Sequence, residues 1–567
     1  MTTFQSRAIF FVAALFTTIT ACADPNPVCR DRTTDGSSSS ASNRLPGVMY
    51  FNSKPKDSAQ CSMRVVDGHL QVSAPISNPA MSCPDMAAWK LFADAVTQKF
   101  WENWAADQQT WPGQPLPICT SKGAANCCDP NAANNPGYGD KANPAQNCPY
   151  FPGDHLSANG ELPIRVAGPM SKAHLTSFAH GVNIKLLAAD ETGRDIRQSM
   201  SEIVFRNKPM FEYVFENDLY HQEGVQAVFN RNSANISGQN AGLPYRLKAQ
   251  DGGLTEIDLP VDSVMIKSDW LSKKRAEKLG LHDDPANPYI KMTIDTRATD
   301  NNGNIQQPGE HWLVAMHISS KDTPNWLWAT WEHVNNPGRC DYIGCNDSYG
   351  YSTPDKIAAN QADNYTTPNY ECDDLDLASW VFKPNGHYDG GQRSKGMAEV
   401  FAGLGIGVHE SSAANPKNIE PTIGDRAWLS YRLKGTQTEF TDTMGRPTHL
   451  ANSVTEGGFV LSSSCVTCHA RAGATAKGTI PLALGVFTNI ANESGYLQSI
   501  SGAPDPNLFN ADNQPPALTV LQTDFIWGFL TATCLNGAPF PCGSSAGLRA
   551  TAPTSTPRPS IRALIPH

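Results

Sequence analysis

Cys465-Val466-Thr467-Cys468-His469 sets two thiols three positions apart, with an imidazole directly after the second. That spacing matches the attachment pattern of a c-type haem, in which two thiols add to the two vinyl groups of one haem and the next histidine takes the proximal position on iron. Imidazole suits iron, and its second ring nitrogen remains to donate to an acceptor that fixes the ring. With 15 Cys and 14 His in 567 residues, chance gives the five-residue pattern roughly 0.01 times per chain, so the motif is specific. Cys465 and Cys468 are therefore expected to hold one covalent haem c through thioethers, and His469 to be its proximal ligand.

Two other chemistries use a CxxC pair. A redox-active dithiol sits between a buried strand and a helix N-terminus that lowers the thiol pKa; here Ser462-Ser463-Ser464 and the trailing His469 fit haem better. A zinc site needs two further ligands at short spacing. Cys534 and Cys542 are available for it, but seven intervening residues make a poor knuckle.

The other side of the iron is less determined. No Met follows Met444, and the only His beyond His469 is His567, so a downstream methionine ligand is excluded. Either an upstream residue binds or the iron is five-coordinate. His449 is the distal candidate nearest in sequence, followed by His317 and His333 on strands; His311, His409 and Met444 complete the set. For each of these histidines the alternative is a hydrogen-bonded core or surface residue.

Haem c is attached outside the cytoplasm, and the N-terminus agrees. Arg7 precedes an apolar run too short to span a bilayer, so residues 1–23 read as a signal peptide. Ala21-Cys22-Ala23 satisfies a small-x-small cleavage rule, while Ile19-Thr20-Ala21-Cys22 matches a lipobox that would leave Cys22 lipidated. Both endings stay open, giving a periplasmic or otherwise extracytoplasmic chain, free or held by an N-terminal lipid anchor, with no transmembrane helix in the mature part. Setting aside Cys22 and the two motif thiols leaves an even number of cysteines, which an oxidising compartment would pair. Cys340 with Cys345 and Cys534 with Cys542 are the easiest local bridges. Adjacent Cys127 and Cys128 are expected to serve two different ones.

Net charge is −10 and no basic tract occurs, which argues against nucleic acid as a partner. Only 17% of residues are charged, against 44 Gly and 42 Pro, the composition of a loop-rich exported chain and not of a helical bundle. Residues 24–45 read as a linker and 551–567 as a poorly ordered tail; between them lie a body over 46–454 and a haem region over 455–550 packed on it.

The elements that must position the motif mix helix and strand. Trp89, Phe92, Ala93, Val96 and Phe100 recur at helical spacing within residues 85–107. Tyr289–Thr296 and His311–Ser319 read as an antiparallel pair. On the second strand, alternation puts His311, Leu313, Ala315 and His317 on one face and Trp312, Val314, Met316 and Ile318 on the other. Trp326–Val334 is a further strand, with Trp326, Trp328, Thr330 and Glu332 opposite Trp331 and His333. Residues 109–163 read as a long loop tied by disulfides, and Met397–Leu404 and Asp425–Leu433 as helices. The fold class expected is α+β, a mixed sheet with helices, long disulfide-tied loops and one covalently bound haem c.

Val314-Ala315-Met316-His317-Ile318 followed by Trp326-x-Trp328-Ala329-Thr330-x-Glu332-His333 resembles a group of large exported bacterial cytochrome-c-like proteins with a single CxxCH. Ala88-Trp89-Lys90-Leu91-Phe92 and Phe211-Glu212-Tyr213 are similar to stretches of the same group, and the likeness runs over residues 80–480. It implies one large cytochrome-c-like protein with no assigned reaction. Three functions stay open: electron transfer to a redox partner protein, a peroxidase- or oxygenase-like oxidoreductase acting on a small-molecule substrate at an open iron, and a haem module that binds small ligands.

Overall fold

The computed structural model describes residues 57–132 (save 74), 135–136, 146–154, 168–169, 188–294, 309–338, 347–352, 392–409, 419–441, 448–457, 460, 463–477, 502–511 (save 505), 517–538 and 541–542. The expected leader, linker and tail, Met444, Cys340, Cys345 and His567 lie outside the described residues.

The apolar spacing of residues 84–97 makes a 14-residue helix, α1 (Pro84–Thr97), started by Pro84. It stops early because Lys99 adopts φ 50°, and Phe100–Asn103 turns separately. Further along come the short strand β1 (Ala105–Ala106), α2 (Ala188–Arg197), β2 (Ser201–Arg206), α3 (Lys208–Glu216) and α4 (Gln222–Asn240). Then follow β3 (Val264–Ser272), β4 (Lys291–Ile294), β5 (Gly309–Ser320), β6 (Leu327–His333) and β7 (Tyr431–Gln437).

These strands form one antiparallel sheet in the order β7-β6-β5-β3-β2-β1, with β4 also beside β5. The mixed α+β architecture and the expected antiparallel pair are both present. Residues 425–433 depart from expectation: only Arg426–Ser430 turns, as a 3-10 helix, and Tyr431 opens strand β7. Tyr431 pairs with His333, so sheet pairing overrides the local helical spacing.

Alternation on β5 also fails in its first half. A bulge opposite Asp269/Trp270 inserts one residue and exchanges the faces. Leu313 therefore joins Met316 and Ile318 in the main core, while Trp312, Val314 and Ala315 pack in a second cluster with Ile196 and Val454.

The two faces of the sheet differ in chemistry. One packs on α1 and the turn after it through aromatic rings: Trp331 meets Trp89 at 5.8 Å and Phe92 at 5.4 Å, and Phe205 meets Phe100 at 5.3 Å. The other carries Lys267, Asp269, His317, Thr330, Glu332, Lys434 and Gln437, and is covered by residues 452–456 and 464–466. Asn452 binds Thr330 Oγ1 at 2.9 Å, Ser453 binds Glu332, and Thr455 donates to Asp269 at 2.5 Å. Helix α2 crosses this cover at bare backbone, since a Cβ on Gly457 would lie 2.2 Å from the carbonyl carbon of Gly193.

Among the described residues four disulfides tie the loops: Cys61–Cys83, Cys119–Cys127, Cys128–Cys148 and Cys534–Cys542. Cys127 and Cys128 serve different bridges, as expected, and the 534–542 loop closes on itself. Disulfides at this density fit an oxidising, extracytoplasmic compartment. Among the described residues no helix is long and apolar enough to cross a membrane.

Candidate functional site

Gln437, the last residue of β7, fastens the motif to the sheet. Its Oε1 accepts from Val466 N at 3.0 Å, and its Nε2 donates to Ser464 Oγ at 2.9 Å and Thr448 Oγ1 at 2.7 Å. One buried amide thus joins the start of the motif helix, α5 (Cys465–His469), to the segment that carries His449. Residues i, i+3 and i+4 of a helix share a face, so Cys465, Cys468 and His469 lie along one side of this turn. Val466 and Ala470 pack into the main core, fixing the turn's rotation.

His469 is held from two directions. Its Nδ1 donates to Phe525 O at 2.8 Å. A carbonyl only accepts, so Nδ1 carries a proton; in the neutral ring the lone pair then falls on Nε2, the tautomer an iron ligand needs. The Trp328 indole lies against the ring, with centroids 4.3 Å apart. Behind Phe525 O, Ile526 N donates to Thr523 O at 2.9 Å. Asp524 and Phe525 both take positive φ, 44° and 66°, which defines a type I′ turn. Such turns favour glycine or asparagine; a left-handed L-residue costs about 1–2 kcal/mol. The Phe525 ring offsets this by packing on Trp328 and Phe440.

Cys465 and Cys468 are half-buried thiols. Burial, then Glu456 and Cys468, push the Cys465 thiol well above its ordinary value, with Lys267 opposing. A disulfide-exchange centre needs the opposite shift, so the environment disfavours the dithiol reading. The zinc reading is corrected outright. Cys534 and Cys542, whose sulfurs gather beside Glu223, are bonded to each other. Glu223 accepts from Leu535 N instead.

The distal candidates separate. His449 precedes Leu450, whose carbonyl lies 3.8 Å from Cys465 Sγ. Its Nδ1 is enclosed without a hydrogen-bond partner. Burial lowers its pKa to about 4, partly opposed by a hydrogen bond with the Ser463 backbone, so the ring is neutral at neutral pH. His317 faces the cover, with Nε2 3.7 Å from Glu456 Oε2. Lys267, opposite it on β3, pairs with Glu202 at 2.8 Å.

His333 is corrected to a structural residue. Its Nε2 donates to Pro288 O, its Nδ1 accepts from Asn335 N, and it stacks on Tyr289 with centroids 3.6 Å apart. His311 donates from Nδ1 to Gly309 O, and His409 is bridged to Asp425.

Burial pushes the His333 pKa down to about 3, against about 6.5 in an unfolded chain. Above pH 6.5 both states are neutral and its contribution to stability is complete. Between 6.5 and 3 the unfolded chain takes a proton that the native state refuses, so stability falls with pH. From pH 7 to pH 5 this group alone is expected to remove about 2 kcal/mol. Urea unfolding at the two pH values measures it, and His333→Gln is expected to flatten that interval.

The sequence offers no sign of the Phe525 carbonyl, since any residue can supply one; positive φ at a Phe has no sequence signature. Trp328 was legible as a strand tryptophan, but its contact with His469 was not. No family model matches the chain, and comparison with curated proteins and with solved structures finds no match.

Proposed function

We propose that this is an exported, monohaem c-type, cytochrome-like redox protein that transfers electrons to a partner protein. The observation that carries the reading is the motif turn, with two thiols and a histidine on one face and Nδ1 of His469 committed to Phe525 O. Cys465 and Cys468 would hold the haem and His469 would bind its iron. Bound there, the group supplies a one-electron Fe(III)/Fe(II) couple. The chain's part is to anchor it, exclude water with the cover over residues 452–456 and 464–466, and fix the imidazole tautomer.

His449 is the sixth ligand we propose, on the strength of its neutral ring and its enclosed, unpartnered Nδ1. Imidazole on both sides favours the ferric state more than a thioether does, so a comparatively low potential is expected.

The test is haem staining of a denaturing gel combined with optical spectra. Wild type is expected to stain at its own mass and to give low-spin bands that carbon monoxide does not move. His449→Ala is expected to become high-spin and to bind carbon monoxide. An unstained wild type overturns the haem assignment, and an unchanged His449→Ala spectrum removes His449 from the iron. A wild type that already binds carbon monoxide favours the oxidoreductase reading. That reading has its own support in the acid–base groups Lys267, His317 and Glu456 gathered near Cys465.

A further inference from the structure

We infer that Asp524 is a positioning residue that sets the redox potential at His469 by clamping the turn whose carbonyl accepts from Nδ1. The inference rests on the haem reading above and goes beyond it in naming what tunes the site. Three of the eight non-glycine residues at positive φ among the described residues are Trp326, Asp524 and Phe525. Trp326 and Asp524 meet directly, and Phe525 follows Asp524 in the chain. The Asp524 carboxylate is buried and accepts from Lys321 Nζ at 2.5 Å and Trp326 Nε1 at 3.1 Å through one oxygen, and from Leu259 N at 2.7 Å through the other.

Trp326 ends the turn between β5 and β6, and two residues later the same strand presents Trp328 to the His469 ring. Asp524 therefore joins the two elements that touch His469, one through the Phe525 carbonyl and one through an indole. Strained backbone persists only where its surroundings over-determine it. Without the clamp, Phe525 gains by relaxing toward negative φ, and that rotation swings its carbonyl away from Nδ1. Lys321 continues the contact outward to the exposed Asp258 at 3.1 Å, so the clamp reaches the surface.

A strong acceptor at Nδ1 makes the imidazole more basic and stabilises ferric iron; a weaker one raises the potential. Asp524→Asn keeps the side chain's shape and removes its charge. Trp326→Phe removes the indole N–H donor together with part of a fully buried ring, so agreement between the two variants isolates the lost contact. In the haem-loaded full chain, each is expected to keep the covalent haem. Each is expected to raise the ferric-to-ferrous reduction constant by about tenfold, a shift of about 59 mV for one electron.

The His469 Nδ1–H proton, followed by NMR on histidine-labelled protein, is expected to exchange faster with solvent in both variants. A merely structural role moves stability but neither of these readouts. Loaded variants that keep the wild-type potential and exchange rate overturn the clamp while leaving the haem assignment standing. Loss of haem from both variants, with wild type loaded, assigns Asp524 to folding and also overturns it. Wild type without covalent haem defeats both readings at once, and the stained gel reports that separately.

Discussion

Cys468→Ala is expected to abolish stable haem attachment, leaving a chain that stains weakly or not at all on a denaturing gel. On the proposed assignment each thioether is one of two covalent links, and Cys468 directly precedes the ligand His469. Its loss removes the anchor that holds the haem under the imidazole. Cys465 carries the other link, with Leu450 O 3.8 Å from its sulfur, so Cys465→Ala is expected to be comparably severe. Intact-mass spectrometry of wild type and both variants measures this directly. A full haem mass retained on Cys468→Ala would remove that residue from the attachment. His469→Ala is the companion measurement, expected to lose the native Soret position while keeping the thioether-bound haem.

Lys434→Met is expected to destabilise the fold by about 3–5 kcal/mol, whatever occupies the motif. Lys434 and Glu332 are fully buried on the face of the sheet beneath residues 452–456, paired at 3.1 Å. Glu332 also accepts from Ser453 N at 2.7 Å and Ser453 Oγ at 2.6 Å. Removing one member of such a pair leaves the other charge buried without its counter-ion, which costs far more than the net worth of the pair. The apolar Met fills most of the space, so the loss reports charge and not a cavity. Urea unfolding measures it. Lys434→Met combined with Glu332→Gln is expected to recover part of the loss, since two neutral groups no longer leave a lone charge. A single variant within 1 kcal/mol of wild type would place the pair in a wetter setting than its burial implies.

The pair also bears on the site. Glu332, Asn452, Ser453 and Thr455 form a continuous hydrogen-bonded seam between sheet and cover. The cover then runs on to Ser463 and the motif helix. Loosening the seam is therefore expected to lower haem retention together with stability.

Much of this was legible in the chain itself. The spacing of Cys465, Cys468 and His469 is a covalent fact that no tertiary structure can alter. Period-two alternation placed Trp328, Thr330 and Glu332 on one side of β6 and Trp331 on the other, because strand pleating is local. The separate bridges of Cys127 and Cys128 followed from the strain of joining neighbours. Tertiary structure decided the rest, wherever a partner comes from far along the chain. A bulge at Asp269/Trp270 exchanged Leu313 with its neighbours, since a strand's register depends on its partner. Packing against Tyr289 and Pro288 made His333 a core residue. The acceptor for His469 is a backbone carbonyl 56 residues away, presented at positive φ by a phenylalanine and held by Asp524. Backbone carbonyls are the same in every residue, so only the folded chain determines which one reaches the imidazole.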